Sequence, residues 1–332
     1  MPWLQHLQLI RLFVLSICAL SAFSTVAAEP VQKAKIDFVE GDGRVAVLLD
    51  GMPVAVYCYN DTTTLRPYFA HMRTPGGIQV TRNHPPIAGH DLADHDSLHP
   101  GIWLAFGDIN GLDFWRNKGR IKHNAFVEPP TVDVSRGSFK VRNDYLDPNN
   151  PSRIVCSEFT RYTFAPSGSG YFILWDIVFT SDQPFTFGDQ EEMGLGIRMA
   201  TPLRVGDTGA EKVPPGNGMI TNSAAAVNEK SMWGDAADWC DFSGTIAGQK
   251  VGATILCHPE NFRKSRFHAR DYGMLTANAF AQGSFGKGDK LKTTIQPGKP
   301  LRLRYGLYIH GDSPSKAIDP AVAYQQYLRL AQ

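Results

Sequence analysis

The 332-residue chain carries 33 bases against 32 acids, with 20% charged residues, 11% aromatic residues and 31 glycines. A balance this near neutrality excludes nucleic acid or an anionic membrane surface as the main partner, because both need a basic footprint. The aromatic and glycine content belongs to a folded, turn-rich protein rather than a disordered one.

At the start, Arg11 precedes a short apolar run over 12–20, and small residues close it at Val26-Ala27-Ala28 before Glu29-Pro30. That order of base, apolar run and small-x-small site predicts a secretory signal over 1–28. A membrane span needs ~20 apolar residues, and Ser16, Ser21, Ser24 and Thr25 interrupt this run. Cleavage removes one base, Arg11, and no acid, so the exported chain is balanced. No later run approaches spanning length. We therefore expect one domain over 29–332, periplasmic or secreted, with no membrane span after cleavage.

Four cysteines remain: Cys58, Cys156, Cys240 and Cys257. Export permits disulfides, and a Cys240–Cys257 bridge stays open. Without a C-x-x-C pair, a thiolate zinc site is not expected. Buried free thiols fit the apolar surroundings of Cys58 and Cys156.

Strand signals follow in series. Residues 44–49 and 53–59 flank Asp50-Gly51, a hairpin turn. Residues 158–164 alternate between apolar and polar, as a strand with one wet face does. After a turn at 166–170, the stretch 171–179 is more continuously apolar and is expected to be central. Further strands are expected at 251–257 and 301–310. Only the tail reads as a helix, with Asp319 as cap, Pro320 in the first turn and apolar residues at helical spacing over 321–330. Strands without an alternating helix rhythm predict antiparallel sheets packed face to face. The expected class is all-β, a large antiparallel β-sandwich with one short C-terminal helix.

Chemistry concentrates in a few tracts. The first is Asp94-His95-Asp96-Ser97-Leu98-His99-Pro100-Gly101-Ile102-Trp103, which mixes titratable groups with an indole and a glycine. His95 and His99 stand four apart, a spacing that suits paired metal ligands on a helix. Pro100 opposes a continuing helix, so the pair is placed in a loop entering a strand over 101–106. There, a catalytic imidazole with a supporting one is the competing reading. No third ligand stands at fixed spacing, so no metal is assigned; His95 and His99 are its only candidates. In the tract 188–198, alternation puts Gly194, Gly196 and Arg198 on one side, with Glu192 on the same side. Glycines there leave room above a sheet for a ligand. The tract 233–242 mixes indoles with carboxylates, and 267–273 places His268, Arg270 and Tyr272 at alternate positions.

Taken together, Arg66-Pro-Tyr-Phe, Thr81-Arg82-Asn83-His84-Pro85-Pro86, Asp94-His95, His99-Pro-Gly-Ile-Trp103, Gly107-Asp108-Ile-Asn110-Gly111, Asp113-Phe-Trp115, Asp189-Gln190-Glu191-Glu192-Met-Gly-Leu-Gly and His268-Ala-Arg270-Asp271-Tyr272-Gly resemble the exported family DUF6807. Its members often carry the name methane oxygenase. The resemblance covers nearly the whole chain after 28. Many members read His-His-Arg-Gly-Leu-Trp where this chain has Leu98-His99-Pro100-Gly101-Ile102-Trp103, so an imidazole at 98 and a guanidinium at 100 are missing here. A particulate methane monooxygenase subunit spans the membrane with long apolar helices, and this chain has none after 28. The resemblance implies instead a supersandwich like that of galactose mutarotases, where a His and a Glu act as acid and base over a concave sheet.

The function expected is an exported carbohydrate-active enzyme: a hydrolase, lyase or epimerase acting on a small or oligomeric sugar, with no cofactor required. His95, His99, Glu191, Glu192 and His268 are the expected acid–base residues. Arg66, His71, Arg82, Trp103, Asp108, Asn110, Trp239, Arg270, Tyr272 and Asn278 are the expected substrate contacts. Two other classes stay open. One is a metal-dependent oxygenase ligated by His95, His99 and a carboxylate; the other is a non-catalytic glycan-binding protein.

Overall fold

The structure is a computed structural model that describes residues 34–207, 213–311 and 319–332. The expected secretory segment lies outside them. In chain order, the first strands are β1 (Ile36–Gly41), β2 (Arg44–Leu49), β3 (Met52–Cys58), β4 (Tyr68–Ala70) and β5 (Ile102–Phe106). Four long strands follow: β6 (Ile121–Val132), β7 (Gly137–Asp147), β8 (Asn150–Ser167) and β9 (Gly170–Thr180). After them come β10 (Phe185–Phe187), β11 (Met193–Arg198), β12 (Met219–Asn222), the short helix α1 (Asn228–Met232) and β13 (Trp239–Ile246). The chain ends with β14 (Gln249–Cys257), β15 (Arg266–Arg270), β16 (Met274–Asn278), β17 (Thr293–Ile295), β18 (Leu301–Gly311) and α2 (Pro320–Leu330).

Two eight-stranded sheets result, ordered β1-β2-β3-β4-β5-β11-β16-β15 and β12-β13-β14-β18-β9-β8-β7-β6, with β10 and β17 forming a separate pair. All pairings given for them are antiparallel, for example β5 with β11 and β9 with β18. The inner faces share one core, joined by ring contacts such as Phe69–Trp175 at 5.7 Å and Phe106–Phe179 at 5.4 Å. Strand β9 lies between β18 and β8, the central place its continuous apolar run required. The Asp50-Gly51 turn joins β2 to β3 with φ of 50° and 79°, the positive pair that a two-residue hairpin demands. Asp319 caps α2 by accepting from the Ala321 N–H at 2.8 Å.

The expectation that only the tail is helical needs a correction. α1 forms as well, at five residues too short to show a helical period, and single 3-10 turns lie at Thr201–Leu203 and Gly283–Phe285. The four cysteines are free thiols. β13–β14 pairing sets Cys240 opposite Ile255, so Cys257 stands two residues further along its strand.

One carboxylate is fully interior. Glu158 of β8 accepts from Asn143 Nδ2 (3.1 Å), Tyr145 Oη (2.9 Å) and Thr160 Oγ1 (2.6 Å). Burial pushes its carboxyl above the ordinary glutamate range, against the pull of those three hydrogen bonds. Such a group holds its proton in the folded chain after the unfolded chain has lost it, so stability falls as pH rises through that window. Glu158→Gln is neutral throughout and lacks this slope. It is expected to gain stability relative to the natural protein as pH rises above the ordinary glutamate range. Urea melts across that range measure it, and a difference independent of pH would contradict it.

Candidate active site

Strand register builds the site. Tyr68 pairs with Trp103, Trp103 with Gly196, Gly196 with Thr276, and Thr276 with His268. Directly paired residues point to one side of a sheet, so these five form a row across β4, β5, β11, β16 and β15. Arg198, Met274 and Arg270 form the next row on that side. The other side carries Leu104, Leu195, Leu275 and Ala269, all buried in the shared core.

Gly196 does leave room, but an indole fills it. A Cβ there would stand 2.7 Å from the Trp103 ring. On that indole rises a column of parallel rings. Trp103 and His99 have centroids 5.0 Å apart and planes at 11°; His99 and His95 follow at 4.7 Å and 13°. Tyr272 lies parallel to both imidazoles, 5.9 Å from His95 and 6.5 Å from His99. The column runs outward: Trp103 and His99 are buried, whereas the His95 side chain is 42% exposed.

The loop forms one hydrogen-bonded turn, in which the His99 N–H donates to the His95 carbonyl at 3.0 Å. That turn realises the four-residue spacing and brings the rings together before Pro100 ends it. Arg82, 1% exposed, holds the loop from beneath by donating to the carbonyls of Leu92, Asp94, His95 and His99. Arg66, also buried, binds the carbonyls of Leu98, Phe114 and Trp115. Neither arginine is a free fork; both are fixed scaffolding.

Asp94 is the hinge of the electrostatics. Its two oxygens accept from Arg198 Nη2 at 2.7 Å and Nη1 at 2.9 Å, and Oδ2 also accepts from His95 Nδ1 at 2.9 Å. Partial burial pushes this carboxyl up, but the His95 hydrogen bond and the guanidiniums of Arg198 and Arg82 hold it well below the usual range. A carboxylate only accepts, so His95 keeps its proton on Nδ1 and presents Nε2 outward. Arg198 itself is 1% exposed, and its guanidinium lies 4.5 Å from the Tyr272 ring centroid. Burial pushes the Tyr272 hydroxyl up to about 12, against the pull of Arg198 and Arg270, so it stays a proton donor at neutral pH.

His99 is chemically different from His95. Burial first, then the surrounding Arg198, His95, Arg66 and Arg82, drive its imidazole well below the ordinary range. It is a neutral ring inside the column, with Nε2 buried and unpartnered among the described residues. His268 is likewise neutral, driven down to about 3 by burial and by Arg270. Its Nδ1 donates to the Glu191 carbonyl at 3.3 Å, and its ring meets Trp233 edge-on at 4.6 Å.

Glu192 forms an ion pair with Arg116, which also pairs with Asp113 at 3.3 Å. Burial raises its carboxyl above the ordinary range. Arg116 and then His95 pull it down, while Glu191 pushes it up. Glu191 contributes mainly through its carbonyl, which accepts from His268 and from Asn278 Nδ2.

Other expected contacts fall elsewhere. Trp239 sits on the second sheet and packs with the cluster beneath α2, so it does not reach the column. Trp233 is linked to the column through Arg270, whose guanidinium lies 5.1 Å from the Trp233 ring and 5.7 Å from the Tyr272 ring while pairing with Glu229 at 3.0 Å. Asp108 and Asn110 are spent on a turn, accepting from the N–H groups of Gly111 and Thr186. Asn278 binds the carbonyls of Gln190 and Glu191 and accepts from Phe280 and Ala281, which shapes the loop below Glu192. His71 faces Gln79 and Arg73 at the end of β4. Among the described residues, no three or more His, Cys, Asp or Glu side chains group to hold a metal ion. Asp94, Arg198, Arg116 and Trp233 were missed, although Asp94 stands beside His95 and Arg198 closes the glycine alternation.

The model of DUF6807, a family of unknown function, matches residues 44–322. The chain belongs to this family. None of the curated proteins searched matches it. Among solved structures, it is similar to the GH36 alpha-galactosidase AgaB from Geobacillus stearothermophilus, at 10% identity and a TM-score of 0.43. That match covers 84% of this chain and 41% of the alpha-galactosidase, so this DUF6807 chain spans well under half of that protein. It is also similar to galactose 1-epimerase from Lactobacillus acidophilus NCFM, at 8% identity and a TM-score of 0.40, over 84% of this chain and 99% of that one. A galactose mutarotase-like protein from Lactobacillus casei ATCC 334 matches at 9% identity and a TM-score of 0.33, over 83% and 100% of the two chains.

Proposed function

We propose that this DUF6807 protein is an exported carbohydrate-active enzyme that moves protons on a sugar with His95 and Glu192. The supporting observation is the chain from buried Arg198 through Asp94 to the outward His95, which fixes one tautomer and leaves Nε2 as the reactive atom. An imidazole held this way, working with the Glu192 carboxylate as base, serves hydrolysis, elimination and epimerisation alike. Glu192, raised by burial, is the second proton-transfer group. The partly exposed rings of Tyr272 and Trp233 and the Arg270 guanidinium supply the apolar faces and donors that a sugar ring needs. Trp103, His99 and Arg82 set the position of His95 from beneath.

His95→Ala tests this reading on a panel of aldoses, uronates and glycosides. Its side chain is largely exposed, so the melting temperature should stay within a few degrees. Turnover of whichever sugar the natural protein converts should fall at least about 100-fold. Equal conversion by both proteins would remove His95 from the chemistry. Binding without conversion by either would favour a lectin-like protein.

A further inference from the structure

A cavity of about 310 Å³ opens where the β1–β2 turn, the end of β3 and the start of β6 meet. It lies at the small end of the roughly 300–1,000 Å³ typical of small-molecule sites. Three cations line it, Arg66, Arg120 and Lys122, against two carboxylates, Asp42 and Asp61. Asp61 is already spent. Its oxygens accept from the N–H groups of Thr63 (2.7 Å) and Thr64 (3.2 Å) and from Tyr68 Oη (2.7 Å). Arg66 commits its Nη atoms to loop carbonyls and to Asn117, and Arg120 gives one Nη donor to the Asp61 carbonyl at 3.4 Å, which leaves the rest of the Arg120 guanidinium and the Lys122 ammonium against Asp42. Donors therefore outnumber available acceptors. One wall carries two rings, Tyr59 and His123, with centroids 4.5 Å apart and planes at 44°; burial keeps His123 below its ordinary value and so neutral at pH 7.

We propose that this cavity is a second ligand site, separate from the column, for a monosaccharide that carries a carboxylate. The carboxylate would accept from the remaining donors of Arg120 and from Lys122, and the ring would lie along Tyr59 and His123. A charge-assisted contact of this kind is worth about 10- to 100-fold in affinity. The site stands independently of catalysis at His95.

Titration calorimetry of the full-length protein with D-glucuronate, D-glucose and inorganic phosphate tests it. Saturable glucuronate binding, at least about tenfold tighter than glucose or phosphate, is expected. It should weaken at least tenfold in the double variant Arg120→Ala/Lys122→Ala and persist in His95→Ala. Lys122 is exposed and Arg120 half-buried, so the single variant Lys122→Ala, with an unchanged melt, guards against misfolding and should show part of the loss. Three outcomes overturn the proposal: no saturable glucuronate binding, phosphate binding as tightly as glucuronate, or loss of binding in His95→Ala.

Discussion

Asp94→Asn is expected to cut turnover about 10⁴-fold, the scale seen when an orienting carboxylate beside a catalytic imidazole becomes an amide. Asp94 accepts three hydrogen bonds, two from Arg198 and one from His95 Nδ1. An amide has one acceptor oxygen. If that oxygen stays on Arg198, its NH₂ faces His95 Nδ1, and the imidazole moves its proton to Nε2. The outward lone pair is then gone. If the oxygen turns to His95, a guanidinium that is 1% exposed loses its anion. Breaking a fully buried ion pair costs about 3–5 kcal/mol; because Asp94 is 37% exposed, a discounted 1–3 kcal/mol is expected here. Steady-state kinetics and a thermal melt separate the two effects. Activity within tenfold of the natural protein would make the Asp94–His95 pair a loop clamp and nothing more.

Glu192→Gln is expected to lower turnover by roughly 10²–10⁴-fold and to erase the acidic limb of the pH–rate profile. As a base, Glu192 must be ionised, so the rate falls as pH falls through its folded value. Burial lifts that value above the ordinary glutamate range, so the limb should lie higher than an exposed glutamate would give. Arg116 supplies the sign check, because its guanidinium holds the carboxyl down. Arg116→Leu should therefore move the limb to still higher pH while leaving the plateau rate less affected. A purely structural glutamate would leave the limb in place in both variants.

Local features of this chain were legible before its folding was known. Asp50-Gly51 needed only positive φ at two adjacent positions, and Asp319-Pro320 only a cap and a compatible first turn. The continuous apolar run at 171–179 indicated its central place in the sheet, although from Leu174 on its burial alternates and Asp176 stays partly exposed. The site was legible in composition but not in assembly. Its row from Tyr68 to His268 joins strands about 200 residues apart in sequence, and no local period reports that pairing. The glycine alternation at 194–198 suggested room for a ligand above the sheet, but Trp103, from the earlier strand β5, fills the space over Gly196 and the Ala277 carbonyl closes on Gly194. Trp233 and Trp239 were indistinguishable in one aromatic, acidic tract. The turn at Gly234, with φ of 70°, separates them: Trp233 ends α1 and packs on His268 of the first sheet, whereas Trp239 opens β13 of the second. The two arginines expected to hold substrate, Arg66 and Arg82, lie beneath the loop, because its many carbonyls needed buried donors.

The most direct test is a crystal structure with the converted sugar bound, made with the slow Glu192→Gln variant. A sugar ring against Tyr272 or Trp233, with a hydroxyl or ring oxygen within hydrogen-bond distance of His95 Nε2 and of residue 192, is the expected result. A sugar seated elsewhere, with His95 Nε2 open to solvent and residue 192 still on Arg116, would contradict the acid–base site.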